Sequence, residues 1–258
     1  MQRRFVVFAL PLLVPLTLAM APSLTLAAPA HHAASARPAR PPVPLADTVR
    51  VEMKTELGPI LIDLDGKHAP VTTANFLRYV DEKRFDGIGF YRAMHLAWGD
   101  QPNGLVQAGL RHDPRRVLKP IAHEPTSQTG VLHTAGAISM ARFAPGTATG
   151  DFSILLSDMS GLDANPASPD PEAQAGYAAF GHVVSGMDVV RKIWDAPLST
   201  TLGEGALRGQ MLEKPVKVLT VRRVPRPEIP PNVDVLLPQQ VYLPPPPASP
   251  PSARQPGQ

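Results

Sequence analysis

From Val49 to Leu64 apolar side chains fall on every second residue. Val49, Val51 and Met53 alternate with Arg50, Glu52 and Lys54, and Ile60, Ile62 and Leu64 resume the pattern after Leu57-Gly58-Pro59. A period of two belongs to a strand with one buried face, and a helix cannot satisfy it. The glycine-proline break between the runs predicts a β-hairpin turning at residues 57–59. Short β-like runs continue at Gly89–Met94, Gly104–Ala108, Gly136–Arg142, Phe152–Asp158 and Tyr177–Val184, and Val216–Val224 supplies a last strand. Two segments carry helical spacing. Pro70 suits a first turn and opens a helix whose buried stripe is Phe76, Leu77 and Val80. The second, Met187–Trp194, follows Gly186, and its apolar stripe is read as core against the sheet. Many short strands and two helices predict a mainly β fold, a closed antiparallel barrel capped by helices.

Only residues 48–224 of the 258-residue chain read as this domain. Residues 1–30 read as an export signal: Arg3 and Arg4, an apolar stretch from Phe5 to Met20, then small residues that allow cleavage after Ala27 or Ala30. The alternative is an uncleaved membrane anchor, since no charge occurs from Phe5 to Ala30. Residues 31–47, rich in Ala, Pro, His and Arg, read as a flexible linker. Residues 225–258 form a proline-rich tail, with runs at Pro244–Pro247 and Pro250-Pro251 that favour extended polyproline II; it is either a solvated tail or a ligand for a proline-binding partner. The chain has no cysteine, which excludes disulfides and lipidation at an N-terminal cysteine and suits an oxidising periplasm.

A pI near 9.3 invites a nucleic-acid reading, and the charge distribution removes it. The net charge of +3 comes entirely from the signal and the linker, so residues 48–224 are formally neutral and offer no footprint for a polyanion. His95, His112, His123 and His133 show no metal-ligand spacing and read as solvated or core side chains. Ser139 and Ser153 have no histidine and acid partners placed by motif, so no hydrolase triad is recognisable.

Phe90-Tyr91-Arg92 on one strand and Leu105-Val106-Gln107-Ala108-Gly109 on the next can share one groove. Together with Ala69-Pro70-Val71, Asn75-Phe76, Ser139-Met140-Ala141-Arg142 and Phe180-Gly181-His182-Val183-Val184-Ser185-Gly186-Met187, in this order, the chain resembles a bacterial exported cyclophilin from about Val49 to Ala196. The resemblance implies an eight-stranded barrel closed by two helices, with a peptide groove on its outer wall. It implies peptidyl-prolyl cis/trans isomerase activity on exported proteins, acting on proline-containing polypeptides as a monomer, without cofactor, metal, nucleic acid or, once the signal is removed, membrane insertion. The implied location is the periplasm, or the periplasmic face of the inner membrane if the anchor is kept.

Such chemistry needs no nucleophile. Amide resonance sets a rotation barrier of about 18–20 kcal/mol, and the twisted X-Pro bond has a nitrogen that has lost conjugation and accepts a hydrogen bond. A guanidinium aimed at that nitrogen binds the twisted state selectively, and about 1.36 kcal/mol of selective binding is tenfold in rate. Arg92 is the candidate catalyst and Gln107 the residue that orients it and grips the substrate backbone. Leu105, Ala141, Leu162 and Tyr177 are expected to line the groove, with Arg142 at its rim.

The chain departs from the family pattern at several groove positions. Gly104 stands where a phenylalanine is usual, Asp151-Phe152-Ser153 stands for Gln-Phe-Phe, Gly161 precedes Leu162 where many members carry tryptophan, and Tyr177 stands where some members have histidine and bacterial ones also tyrosine. Asp151 and Ser153 then join the groove, with Asp151 placed to pair with Arg92 or Arg142. Trp98 is the candidate to refill the wall, and the Asp163–Gly176 loop lies beside it, either setting specificity or as a passive insertion. The wider pocket keeps a second reading open, a peptide-binding, chaperone-like module with little or no turnover. A third is an envelope scaffold working through the tail.

Overall fold

The computed structural model describes residues 45–226, His112 excepted. The signal segment, residues 31–44 of the linker and the tail from residue 227 lie outside the described residues, as does the His112 reading.

The alternating segments form the expected hairpin of β1 (Thr48–Thr55) and β2 (Gly58–Asp65). Val51 faces Ile62 and Met53 faces Ile60, all fully buried with Leu64. The chain reverses at Glu56-Leu57, slightly earlier than the glycine and proline suggest. Thr55 explains this: its Oγ1 donates to the Gly58 carbonyl at 2.7 Å and accepts from the Leu57 N–H at 3.1 Å. Pro59 is tolerated inside β2 because β7 (Ala178–Ser185) pairs with that strand only from Leu61 onward.

α1 (Pro70–Asp81), β3 (Gly89–His95), β4 (Gly104–Gly109), the one-turn α2 (Thr126–Thr129), β5 (Ala137–Met140), β6 (Phe152–Leu155), the short α3 (Pro171–Ala175), α4 (Met187–Trp194) and β8 (Met211–Arg223) complete the order. The strands close into an antiparallel eight-stranded barrel, β1-β2-β7-β5-β6-β4-β3-β8. α1 buries Phe76, Leu77, Tyr79 and Val80, and α4 buries Val189, Val190 and Ile193. Phe76 packs 4.8 to 5.4 Å from the rings of Phe85, Phe152 and Phe180, so side chains fill the interior.

The sequence reading missed α2 and α3, each a single turn, and the first residues of β8. Glu213-Lys214-Pro215 hides that strand's alternation, and its ladder to β3 jumps from Val216 opposite Phe90 to Met211 opposite Arg92. The intervening residues bulge, which is where a strand tolerates proline.

The long β4–β5 connection returns to α1. Glu124, 4 % exposed, accepts from the N–H of Val71 at 3.0 Å and of Thr72 at 2.6 Å, and from the Thr72 hydroxyl at 2.6 Å. It satisfies donors that the first turn of the helix leaves without partners. Among the described residues no helix is long and apolar enough to cross a membrane.

Candidate active site

Phe90 pairs with Ala108 and Arg92 with Gln107, which leaves Tyr91 as an extra residue on β3. A bulge of this kind turns successive side chains toward one side. Phe90 and Ala93 are fully buried in the barrel, whereas Tyr91 and Arg92 both line the outer wall. The register continues sideways: Gln107 pairs with Ser153 and Ser153 with Ser139. Arg92, Gln107, Ser153 and Ser139 therefore form one row across β3, β4, β6 and β5.

The Arg92 guanidinium is held by neutral acceptors. Nη1 donates to Gln107 Oε1 at 2.8 Å, Nε and Nη2 donate to Gln210 Oε1 at 2.9 and 2.6 Å, and Nη2 also reaches Met94 Sδ at 3.6 Å. Among the described residues no carboxylate pairs with it. Burial pushes its pKa down, the expected result of taking a cation partly out of water. Gln107 Nε2 donates to Tyr91 Oη at 2.8 Å, and Tyr91 donates onward to Asp151 Oδ1 at 3.0 Å. Burial, with the Asp151 charge second, pushes the Tyr91 phenol well up, so Tyr91 stays a neutral donor.

The expected site residues meet around two adjoining hollows. A cavity of about 280 Å³ is lined by Arg92, Leu105, Gln107, Ala141, Arg142, Ser153, Leu162 and Tyr177, with Met94, Ser139 and Met140 added. Arg92, Gln107, Ala141 and Arg142 also border a cleft of about 420 Å³ that runs past Tyr91 to Asp151, Phe143 and Leu207. Eight of the nine expected residues thus share the smaller cavity, and Asp151 lies in the neighbouring cleft.

Several expectations are corrected. Asp151 pairs with neither Arg92 nor Arg142: Oδ1 accepts from Tyr91 and from the Arg111 N–H at 3.1 Å, and among the described residues the buried Oδ2 has no hydrogen-bond partner. It is tucked against Gly109, where a Cβ would stand 2.4 Å from Oδ1. Arg142 is wall rather than rim, its side chain only 1 % exposed. Its Nη1 pairs with Glu172 at 2.8 Å, Nη2 donates to the Gly176 carbonyl, and its guanidinium lies 4.4 Å over the Tyr177 ring. Trp98 is 69 % exposed and lines neither hollow; Met94 occupies the wall instead. At Gly104 a Cβ would lie 1.9 Å from the Met94 carbonyl, at φ +143°, so no ring fits there in this backbone.

The serine reading also changes. His133, 1 % exposed, joins Ser139 to Asp163: Nε2 lies 2.8 Å from Ser139 Oγ and Nδ1 lies 2.7 Å from Asp163 Oδ1. The Asp163 oxygen also accepts from the His133 N–H at 3.0 Å. The carboxylate therefore accepts from Nδ1–H, leaving Nε2 to accept from the serine. Burial pushes the His133 pKa down and keeps the ring neutral. This relay ties the turn carrying Leu162 to β5, and Tyr177 joins it through its N–H to the Leu162 carbonyl at 2.8 Å. His133 and Asp163 are thirty residues apart, with no motif spacing to mark them. Gln210 was missed as well, because it precedes a strand whose start the sequence hides.

Comparison with known proteins bears on the fold and the family. The family model for cyclophilin type peptidyl-prolyl cis-trans isomerase/CLD matches residues 50–223. A peptidyl-prolyl cis-trans isomerase of Acinetobacter baylyi is 35 % identical over 182 residues, covering 69 % of this chain and 86 % of the relative. Peptidyl-prolyl cis-trans isomerase A of Dickeya dadantii is 33 % identical over 150 residues, 57 % of this chain and 71 % of that one. The crystal structure of a Cryptosporidium parvum cyclophilin in the presence of the dipeptide Ala-Pro shares the fold, with a TM-score of 0.54 at 14 % identity over 69 % of this chain and 99 % of its own. A family match running from the first barrel strand to the last places this chain among the cyclophilin-type peptidyl-prolyl cis-trans isomerases.

Proposed function

We propose that Arg92 is the electrostatic catalyst of X-Pro rotation in exported polypeptides. One observation carries this reading: a guanidinium fixed at the wall of a partly apolar cavity, among the described residues by neutral acceptors alone. Of the five guanidinium N–H groups, two are taken by Gln210, one by Gln107, and a fourth meets the Met94 sulfur. One Nη1–H remains for the substrate. In the planar ground state the prolyl nitrogen offers it no lone pair; on twisting it does, so the contact is gained in the transition state. The second N–H of the Gln107 amide, beyond the one given to Tyr91, is available to a substrate carbonyl. Leu105, Met94, Leu162 and Tyr177 supply walls for the proline ring.

A protease-coupled isomerisation assay on a short Xaa-Pro peptide tests this. The wild type is expected to accelerate exchange, and Arg92→Ala to lose about 100-fold in kcat/KM, the size seen when one preorganised donor is removed. Equal, background-level rates for both would favour the second reading, a peptide-binding module. Its support is the cavity wall, where Ser153 contributes only a small side chain.

Export rests on residues 1–30. The chain recovered from a periplasmic fraction is expected to begin at Ala28 or His31; intact chain in the membrane pellet would indicate the anchored form.

A further inference from the structure

We infer that Gln210 is a positioning residue for Arg92, holding the guanidinium on its substrate-facing rotamer while leaving its charge uncompensated. The inference builds on the role proposed for Arg92.

Arginine carries about 2 kcal/mol of rotamer entropy, and Gln107 alone holds only one of its nitrogens. Gln210 grips the other side: a single oxygen, Oε1, accepts from both Nε and Nη2. Two anchors on opposite sides of a planar fork fix both its position and its plane. That plane decides where the remaining Nη1–H points.

Gln210 is itself held. Its Nε2 donates to the Ala206 carbonyl at 2.8 Å, which settles which end of the amide faces Arg92. Its carbonyl accepts from the Ala93 N–H at 2.9 Å, and its N–H donates to the Leu207 carbonyl at 3.1 Å. The segment before it is closed on itself: the Ser199 Oγ accepts from the N–H groups of Thr201 and Leu202, and a 3₁₀ turn spans Gly205–Leu207. The grip thus comes from an ordered turn locked onto β3, the strand that carries Arg92.

The choice of amide over acid has a consequence. A carboxylate would hold the fork equally well, but its charge would compete with the developing lone pair on the substrate nitrogen. A carboxamide orients without neutralising.

The test uses the full chain with Gln210→Leu and Gln210→Glu. Each is followed by the isomerisation assay and by ¹⁵N NMR of the Arg92 Nε–H, assigned by its loss in Arg92→Lys. In Gln210→Leu the Nε–H signal is expected to lose its exchange protection, with kcat falling at least tenfold and KM changing less than threefold. In Gln210→Glu the signal should stay protected and move downfield, while kcat falls as the new carboxylate pairs with Arg92. A Gln210→Leu protein with wild-type kcat and a protected Arg92 Nε–H would overturn the inference. If the wild type is inactive the catalytic reading fails on its own, and the NMR arm still decides whether Gln210 holds Arg92.

Discussion

Arg92 and Gln107 stand directly opposite one another in the β3–β4 ladder, with Nη1 donating to Oε1 at 2.8 Å. Their spacing is thus set by backbone hydrogen bonds of the barrel rather than by loops. The Tyr91 bulge is what aims Arg92 outward, since strict alternation after the buried Phe90 would turn it into the core.

Arg92→Lys keeps a positive charge but offers one compact ammonium in place of a fork. It cannot satisfy Gln107 and Gln210 from opposite sides while presenting a third donor. The expected loss in kcat/KM is about tenfold or more, equivalent to roughly 1.4 kcal/mol of transition-state stabilisation. Steady-state assays beside Arg92→Ala measure it, and wild-type turnover would show that charge alone suffices.

Trp98→Ala should leave peptide turnover within about twofold of wild type, since a surface substitution of this kind usually changes stability by no more than about 0.5 kcal/mol. The indole is mostly solvated and touches neither hollow. A large drop in kcat/KM would return the ring to the groove wall.

His133 gives stability a pH dependence of known sign. Burial lowers its folded pKa below the ordinary 6.5, so the unfolded chain takes up a proton first as pH falls. Its contribution is complete above that ordinary value and is lost as the solution is acidified toward the lowered one. Half-buried His182, its pKa also lowered by burial, acts in the same sense. Denaturant melts at pH 7.0, 6.0 and 5.0 should show wild-type stability declining in this window, and His133→Gln should decline less steeply. Parallel slopes would remove His133 from the balance.

Glu124 caps α1 from more than fifty residues away. Glu124→Ala leaves the Val71 and Thr72 donors without a partner and is expected to cost about 2 kcal/mol, and Glu124→Gln about 1 kcal/mol, since a neutral oxygen still accepts. Urea denaturation reads both, with isomerase activity of the folded fraction unchanged.

The barrel was legible because its strands announce themselves locally. Val51, Met53, Ile60, Ile62 and Leu64 alternate with polar residues, and α4 matches its expected bounds. The groove was legible in the motifs around Arg92, Gln107 and Leu105, whose lateral pairing carries eight expected residues into one cavity. Contacts made by long excursions were not. Gln210 precedes a strand disguised by Pro215, and Asp163 meets His133 only after the chain has crossed the barrel. Asp151 was misplaced for a steric reason: Gly109 lets its carboxylate sink beneath Tyr91 and away from Arg92. The Gly104 departure reflects backbone crowding at the Met94 carbonyl, invisible without the pairing of the two strands.

The phenylalanines that plug the barrel leave it without a lumen. With the site proposed around Arg92, a client is held on the flank, across the grain of four strands. A long client can be seized anywhere along its length, with no need to thread an end through the enzyme.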